Sequence, residues 1–355
     1  MELLTDIKVR RTTHSRLSEV DFNDLEFGKY TADHMLVCDY QDGEWKQPQI
    51  VPFANLSLNP ATLALHYGQT VFEGMKAFRM DDGRVNIFRI DRHYERFTRS
   101  LDRMCMAVPP REVFTEGLIK LVETDKDWVP HAPGSALYLR PFVYASEAKF
   151  GIKVSSQYRF VIFTGPVGEV YTGPIRIKVE TKYTRASKGG TGFTKCGGNY
   201  GAALYPTQLA REEGYDQVLW TEPADGSRNI QESGMMNILF VIDDKIVTPS
   251  LSDSVLDGIT RESLLILAAE LGSQTEERPV SVDELENAFR QGRITEAFGA
   301  GTAAVVAPIK TIAINGIDYH LPPYSHDNLF SRIKTKLERI RRGLDEDVHE
   351  WNYVV

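Results

Sequence analysis

Gly189-Gly190-Thr191-Gly192-Phe193-Thr194-Lys195-Cys196-Gly197-Gly198-Asn199-Tyr200-Gly201 sets six glycines around a single lysine. A backbone so rich in glycine bends sharply or lets something approach it closely. A Walker phosphate loop needs glycine directly before its lysine and serine or threonine directly after it. Thr194 and Cys196 hold those places, so the nucleotide-hydrolase reading fails. Two readings remain: a solvated lysine in a surface loop, or a lysine whose amine forms a Schiff base. The second requires an amine that sheds its proton readily, which desolvation and a neighbouring cation favour. Tyr200, five residues on, is then in reach of the ring of a bound cofactor.

Working outward, the spacing predicts a helix over 199–213, then strands at 217–222, 237–242 and 245–249. Gly258 to Leu271 reads as a helix, and Ser281 with Glu284 forms a capping box opening another. Residues 294–309 read as two strands joined at a Gly299-Ala300-Gly301 corner, and Leu329, Ile333, Leu337 and Ile340 line one face of a last helix. Upstream, 34–40, 136–145 and 158–165 read as strands, Asp81-Asp82-Gly83 as a hairpin turn, and 90–104 and 111–124 as helices. Residues 1–30 form a polar, partly ordered lead-in. The glycine- and proline-bearing stretch 166–174 has no periodicity and reads as a linker. It divides a domain at 1–165 from one at 175–355 that carries the lysine. Mixed, non-alternating elements give an α+β class.

At 355 residues the chain exceeds one comfortable core, which also favours two domains. The net charge of −8 argues against a nucleic-acid partner, which needs a basic face. Cys38, Cys105 and Cys196 lie far apart without metal-ligand spacing. That argues against both a disulfide framework and a zinc site, and fits a reducing compartment. No apolar run has the length of a signal peptide core or a membrane span, so a cytoplasmic protein is expected.

The lysine segment resembles that of the branched-chain amino acid aminotransferases, fold-type IV pyridoxal-phosphate enzymes. FGKYTADHML (27–36), LHYGQTVFEGMKAF (65–78), DKDWVP (125–130), LYLRP (137–141), QVLW (217–220) and FGAGTAAVV (298–306) resemble the same family in the same order. The resemblance implies a smaller α/β N-terminal domain, a larger pseudo-barrel C-terminal domain, pyridoxal 5'-phosphate as cofactor and a homodimer. It further implies ping-pong amino transfer between leucine, isoleucine or valine, with their 2-oxo acids, and glutamate or 2-oxoglutarate. D-amino-acid aminotransferases and aminodeoxychorismate lyases share the fold, but FEGMKAF and LYLRP argue against both. A silent scaffold would have lost Lys195 or Glu232, and both are present.

By this resemblance Lys195 bonds the cofactor and shuttles the α-proton, Tyr200 hydrogen-bonds the phenolate oxygen and Glu232 faces the pyridine nitrogen. The phosphate would take main-chain groups of Ile259 and Thr260 at a helix start, the Thr302 hydroxyl and the Arg96 charge. Arg92, Arg96, Arg99 and Arg103 form one stripe on the 90–104 helix, ordinarily a solvated face, and only Arg96 matches the family position. Phe27, Tyr67, Phe72 and Tyr138 would line the side-chain pocket, with Arg140 on the distal carboxylate of glutamate. Gly301 and Ala303 would offer backbone groups to the α-carboxylate. Met235 stands where vertebrate members carry threonine, so carboxylate binding there rests on backbone. Ala304 and Ala307 replace a vertebrate thiol pair, so thiol regulation is not expected at that corner.

Overall fold

The computed structural model describes residues 6–171, 173–224 and 227–355. In chain order the strands and helices run β1 Lys8–Val9, β2 His34–Gln41, β3 Glu44–Trp45, β4 Gln49–Pro52, α1 Leu63–Tyr67, β5 Thr70–Phe72, β6 Met75–Arg79, β7 Val85–Phe88, α2 Ile90–Arg103, α3 Arg111–Thr124, β8 Ala136–Ala145 and β9 Tyr158–Val167. They continue as β10 Ile175–Glu180, α4 Gly198–Glu212, β11 Gln217–Ala224, β12 Ser227–Ser233, β13 Met236–Ile242, β14 Lys245–Thr248, α5 Ile259–Glu270, β15 Thr275–Glu277, α6 Val282–Arg290, β16 Ile294–Gly301, β17 Val305–Ile314, β18 Ile317–His320, α7 Leu329–Arg341 and β19 Asn352–Val354.

Packing divides the chain into two units, Met1–Val170 with Thr194–Gly198 and Arg339–Val355, and Tyr171–Phe193 with Asn199–Glu338. This corrects a single cut at 166–174 in two places. The lysine segment runs antiparallel along β5: Phe72 N–H donates to Lys195 O, Gly197 N–H donates to Thr70 O, and Val71 bridges Cys196. The tail returns as β19 on β7. With these additions the first unit is the larger in residue count. Within the expected linker Pro166 and Val167 belong to β9, and Thr172 lies outside the described residues.

The first unit is a ten-stranded sheet in the order β1-β4-β2-β9-β8-β6-β7-β19, with β3 on β2 and β5 on β8. Along β8 the side chains alternate. Leu137, Leu139, Pro141 and Val143 are buried, while Tyr138, Arg140 and Phe142 on the other face are half-buried. The buried face joins Phe97 and Leu101 of α2 and Phe114 and Leu118 of α3 in one core. Each such side chain contributes about 1.5–3 kcal/mol by area removed from water. The polar lead-in is docked: Ser15 Oγ and Arg16 N–H donate to the Asp33 carboxylate at 2.6 and 2.9 Å.

In the second unit β12-β11-β10-β17-β16-β13 follow one another, and β12 pairs again with β13. These six strands therefore close into a barrel, which leaves none of them an open edge. Its filling is apolar and mostly aliphatic, with Ile177, Leu219, Ile230, Ile238 and Ile312 beside Phe240, and α6 adds Leu285 and Ala288. Ser281 caps α6 through Glu284 N–H at 3.0 Å, as the capping box requires.

The Gly299-Ala300-Gly301 stretch is strand, not corner; the chain turns at 302–304, and Val305, the first residue of β17, takes a φ of 58°. The glycines serve close packing instead. A Cβ on Gly299 would lie 2.8 Å from Met236 Cε, and one on Gly301 3.3 Å from Met236 Cγ.

Candidate active site

In the first unit Lys195 is fixed by its backbone. Its carbonyl accepts from Phe72 N–H at 3.0 Å, and its own N–H donates to Ser100 Oγ on α2 at 3.0 Å. Gly197 permits this approach, since a Cβ there would lie 2.7 Å from Thr70 Cγ2. The Lys195 ammonium nitrogen sits 5.0 Å from the centre of the Phe72 ring, close enough for a cation–π contact. The Arg140 guanidinium lies 4.8 Å from the same ring and 5.2 Å from that of Tyr138. Arg140 also donates to the Tyr138 hydroxyl at 3.2 Å, as two residues on one strand face allow. Phe27 meets Tyr138 edge-on with ring centres 5.0 Å apart. Lys195, Phe72, Tyr138, Arg140 and Phe27 thus form one constellation. Tyr67 stands apart: its hydroxyl accepts from Gly151 N–H, between the 88% exposed Phe150 and the 86% exposed Ile152.

Arg96 is buried, unlike the exposed Arg99 and Arg103 of the same stripe. Its Nε and Nη2 donate in parallel to the two oxygens of Glu73, both at 2.7 Å. His93 Nδ1 lies 2.9 Å from Glu73 Oε2, to which Gly74 N–H also donates at 3.1 Å. Burial pushes the Glu73 carboxyl up, but the Arg96 charge and the hydrogen bonds outweigh it and hold the group well below the usual carboxylate range. Burial pulls His93 down to about 4 against the pull of Glu73. A neutral His93 beside a carboxylate carries its proton on Nδ1.

In the second unit Glu232 is buried on β12. Its Oε1 accepts from Leu256 N–H at 2.7 Å and from Asn237 Nδ2 at 3.4 Å, and its Oε2 lies 3.3 Å from Arg185 Nε. Asn237 Nδ2 donates in turn to Leu256 O at 2.9 Å, and a Cβ on Gly258 would lie 1.8 Å from Asn237 Oδ1. Glu232 and the start of α5 are therefore one assembly held through Asn237. The N-cap of α5 is Gly258, which has no side chain of its own, and the helix starts at Ile259 and Thr260; its positive dipole end suits an anion. Gly301, Thr302 and Ala303 lie at the β16–β17 turn. Met235 O comes within 3.8 Å of the Cβ position of Gly301, with the Met235 side chain 68% exposed. Tyr200 is half-buried in the first turn of α4.

Glu73, His93, Asn237 and Arg185 escaped the sequence reading. His93, Arg96 and Ser100 do carry a signal: polar residues at helical spacing that interrupt a face also bearing Phe97.

The first unit carries an anchored amine and a buried guanidinium, and the second a helix start at Gly258 and a buried carboxylate; these are the kinds of group that an aldehyde with a phosphate and a basic ring nitrogen requires. The residues present fit pyridoxal phosphate. Among the described residues no cluster of three or more His, Cys, Asp or Glu side chains is placed to hold a metal.

The family model for class IV amino-transferases matches residues 70–312. The chain belongs to that family. This class IV aminotransferase is similar to branched-chain-amino-acid transaminase 1 of Bacillus subtilis (strain 168), with 47% identity over 301 residues, 83% of this chain and 84% of that protein. Branched-chain-amino-acid aminotransferase 2 of the same organism is 43% identical over 314 residues, 85% and 86% of the two chains. Among solved structures, the branched-chain aminotransferase of Thermoproteus uzoniensis with norvaline superimposes with a TM-score of 0.75 at 26% identity, covering 90% of this chain and 99% of that one. The class IV aminotransferase is accordingly a transaminase dependent on pyridoxal phosphate, on the two-domain α+β fold described.

Proposed function

We propose that this aminotransferase moves the amino group between L-leucine, L-isoleucine or L-valine and 2-oxoglutarate, each substrate entering in turn. The observation that carries the reading is the constellation around Phe72, where the anchored Lys195 amine shares one ring with Arg140. It is supported by the names of relatives more than 40% identical.

Pyridoxal phosphate, when bound, supplies the electron sink and carries the amino group between half-reactions. Lys195 Nζ holds the cofactor and moves the substrate α-proton; both jobs need one amine at one place, which the two backbone bonds of Lys195 secure. Glu232, held by Leu256, Asn237 and Arg185 among others, meets the ring nitrogen as a carboxylate and keeps a proton there. Tyr200 serves the phenolate oxygen. Arg96, the N–H groups of Ile259 and Thr260 and the Thr302 hydroxyl receive the phosphate. Phe27, Phe72 and Tyr138 exclude water around a branched side chain, and Arg140 binds the distal carboxylate of glutamate. Gly301 and Ala303, beside Met235, offer backbone groups to the α-carboxylate. Tyr67 joins the exposed Phe150 and Ile152 in a surface suited to burial against a second copy, so the working form is a homodimer. Three free cysteines suit a reducing, cytoplasmic setting.

Steady-state assays test the assignment. Parallel double-reciprocal lines with L-leucine and 2-oxoglutarate, and no turnover of D-alanine, are expected. Turnover of D-amino acids with none of L-leucine would overturn it. Light scattering at twice the 40.1 kDa chain mass checks the homodimer.

A further inference from the structure

The cluster under Arg96 has a feature that charge alone does not explain. An anion-binding guanidinium gains most from having no carboxylate beside it. Yet Glu73, with no exposed side-chain area, takes the Nε/Nη2 edge of Arg96 and sets a negative charge against it. What the pair gains is direction. A guanidinium held bidentately has one plane and one heading, because both bonds must be kept at once.

Glu73 is itself fixed. Its Oε2 accepts from Arg96, His93 and Gly74 N–H, and its Oε1 accepts from Arg96. Glu73 and Gly74 directly follow Phe72, the residue whose N–H anchors Lys195. His93 and Arg96 sit one helical turn apart on α2, and Ser100 of the same helix receives Lys195 N–H. One buried network therefore ties the heading of Arg96 to the backbone of Lys195.

We propose that Glu73 and His93 are positioning residues for cofactor-phosphate recognition: Glu73 aims Arg96, and His93 holds Glu73 in the aiming pose. This rests on the assignment of Arg96 to the phosphate. It goes beyond that assignment in making orientation, rather than net positive charge, the source of the preference for a phosphorylated cofactor. A direct consequence separates the two ideas. Removing the Glu73 charge raises the local positive charge, so a charge mechanism predicts tighter phosphate binding and the orientation mechanism predicts weaker.

The test compares pyridoxamine 5'-phosphate with pyridoxamine, which lacks the phosphate and, like its partner, cannot bond Lys195 covalently. Dissociation constants for both are read from intrinsic fluorescence of the full chain freed of cofactor by dialysis. In Arg96→Gln the phosphate preference is expected to fall about 10- to 100-fold, the loss of one charge-assisted contact. Glu73→Gln is expected to lose a comparable factor, with the dissociation constant for pyridoxamine unchanged. His93→Leu, which strands no charge, is expected to lose a smaller part. His93→Asn, whose amide nitrogen replaces Nδ1, is expected to restore it. If Glu73→Gln does not fold, the His93 pair decides the matter. An intact preference in Arg96→Gln would overturn both the phosphate assignment and this inference. Loss in Arg96→Gln with an intact or increased preference in Glu73→Gln and His93→Leu would overturn this inference alone.

Discussion

A Cβ on Gly74 would lie 1.9 Å from the Tyr138 hydroxyl and 2.8 Å from its Cζ, so the ring position that puts this hydroxyl within reach of Arg140 depends on a missing side chain. Gly74→Ala is expected to displace Tyr138 and deprive Arg140 of that partner. The KM for 2-oxoglutarate should rise about tenfold, as for one lost hydrogen bond to a charged group. The KM for the 2-oxo acid of leucine, which has no distal carboxylate, should change much less. Equal effects on both, from steady-state kinetics, would count against a role for Arg140 in carboxylate binding. At this scale the sequence was informative where chemistry and neighbours coincide along the chain, as in the glycine loop around Lys195. It was silent where partners meet only in space. Nothing near Glu73 announces Arg96 twenty-three residues later, and nothing near Glu232 announces Arg185.

Secondary elements followed the periodicity closely where one face is apolar. The expected helix at 111–124 and strand at 136–145 coincide with α3 and β8. Short strands such as β5 and β15 carry too few residues for alternation to show, and β19 pairs with a strand more than 260 residues earlier. That tail matters to α2. Arg89 precedes the helix at a φ of 54°, its N–H donates to Trp351 O at 2.6 Å, and its guanidinium lies 4.9 Å from the Trp351 ring. Trp351 also meets Phe88 edge-on at 5.7 Å and is 7% exposed. Trp351→Ala is expected to cost about 3–5 kcal/mol in urea unfolding, the range for truncating a buried tryptophan. A loss below about 1 kcal/mol would mean that the tail does not brace α2.

For the whole molecule, stability should depend on pH through the Glu73–His93 pair. Glu73 titrates lower in the folded chain than in the unfolded one, so its contribution is present above the unfolded carboxylate range and is lost as pH falls through the folded value. His93 titrates near 4 folded against 6.5 unfolded, so between those values the unfolded chain binds the extra proton. Both signs agree. Stability should fall steadily from pH 6.5 towards 4, and His93→Asn should flatten the upper part of that fall in urea midpoints. An unchanged slope would show that His93 does not titrate as its surroundings dictate. The central claim, that Lys195 is the one residue joining cofactor and substrate chemistry, is tested most directly by absorption. The protein with pyridoxal phosphate is expected to show a cofactor band that L-leucine bleaches and 2-oxoglutarate restores. Lys195→Ala should show neither change. A variant whose band still responds to both substrates would contradict the account.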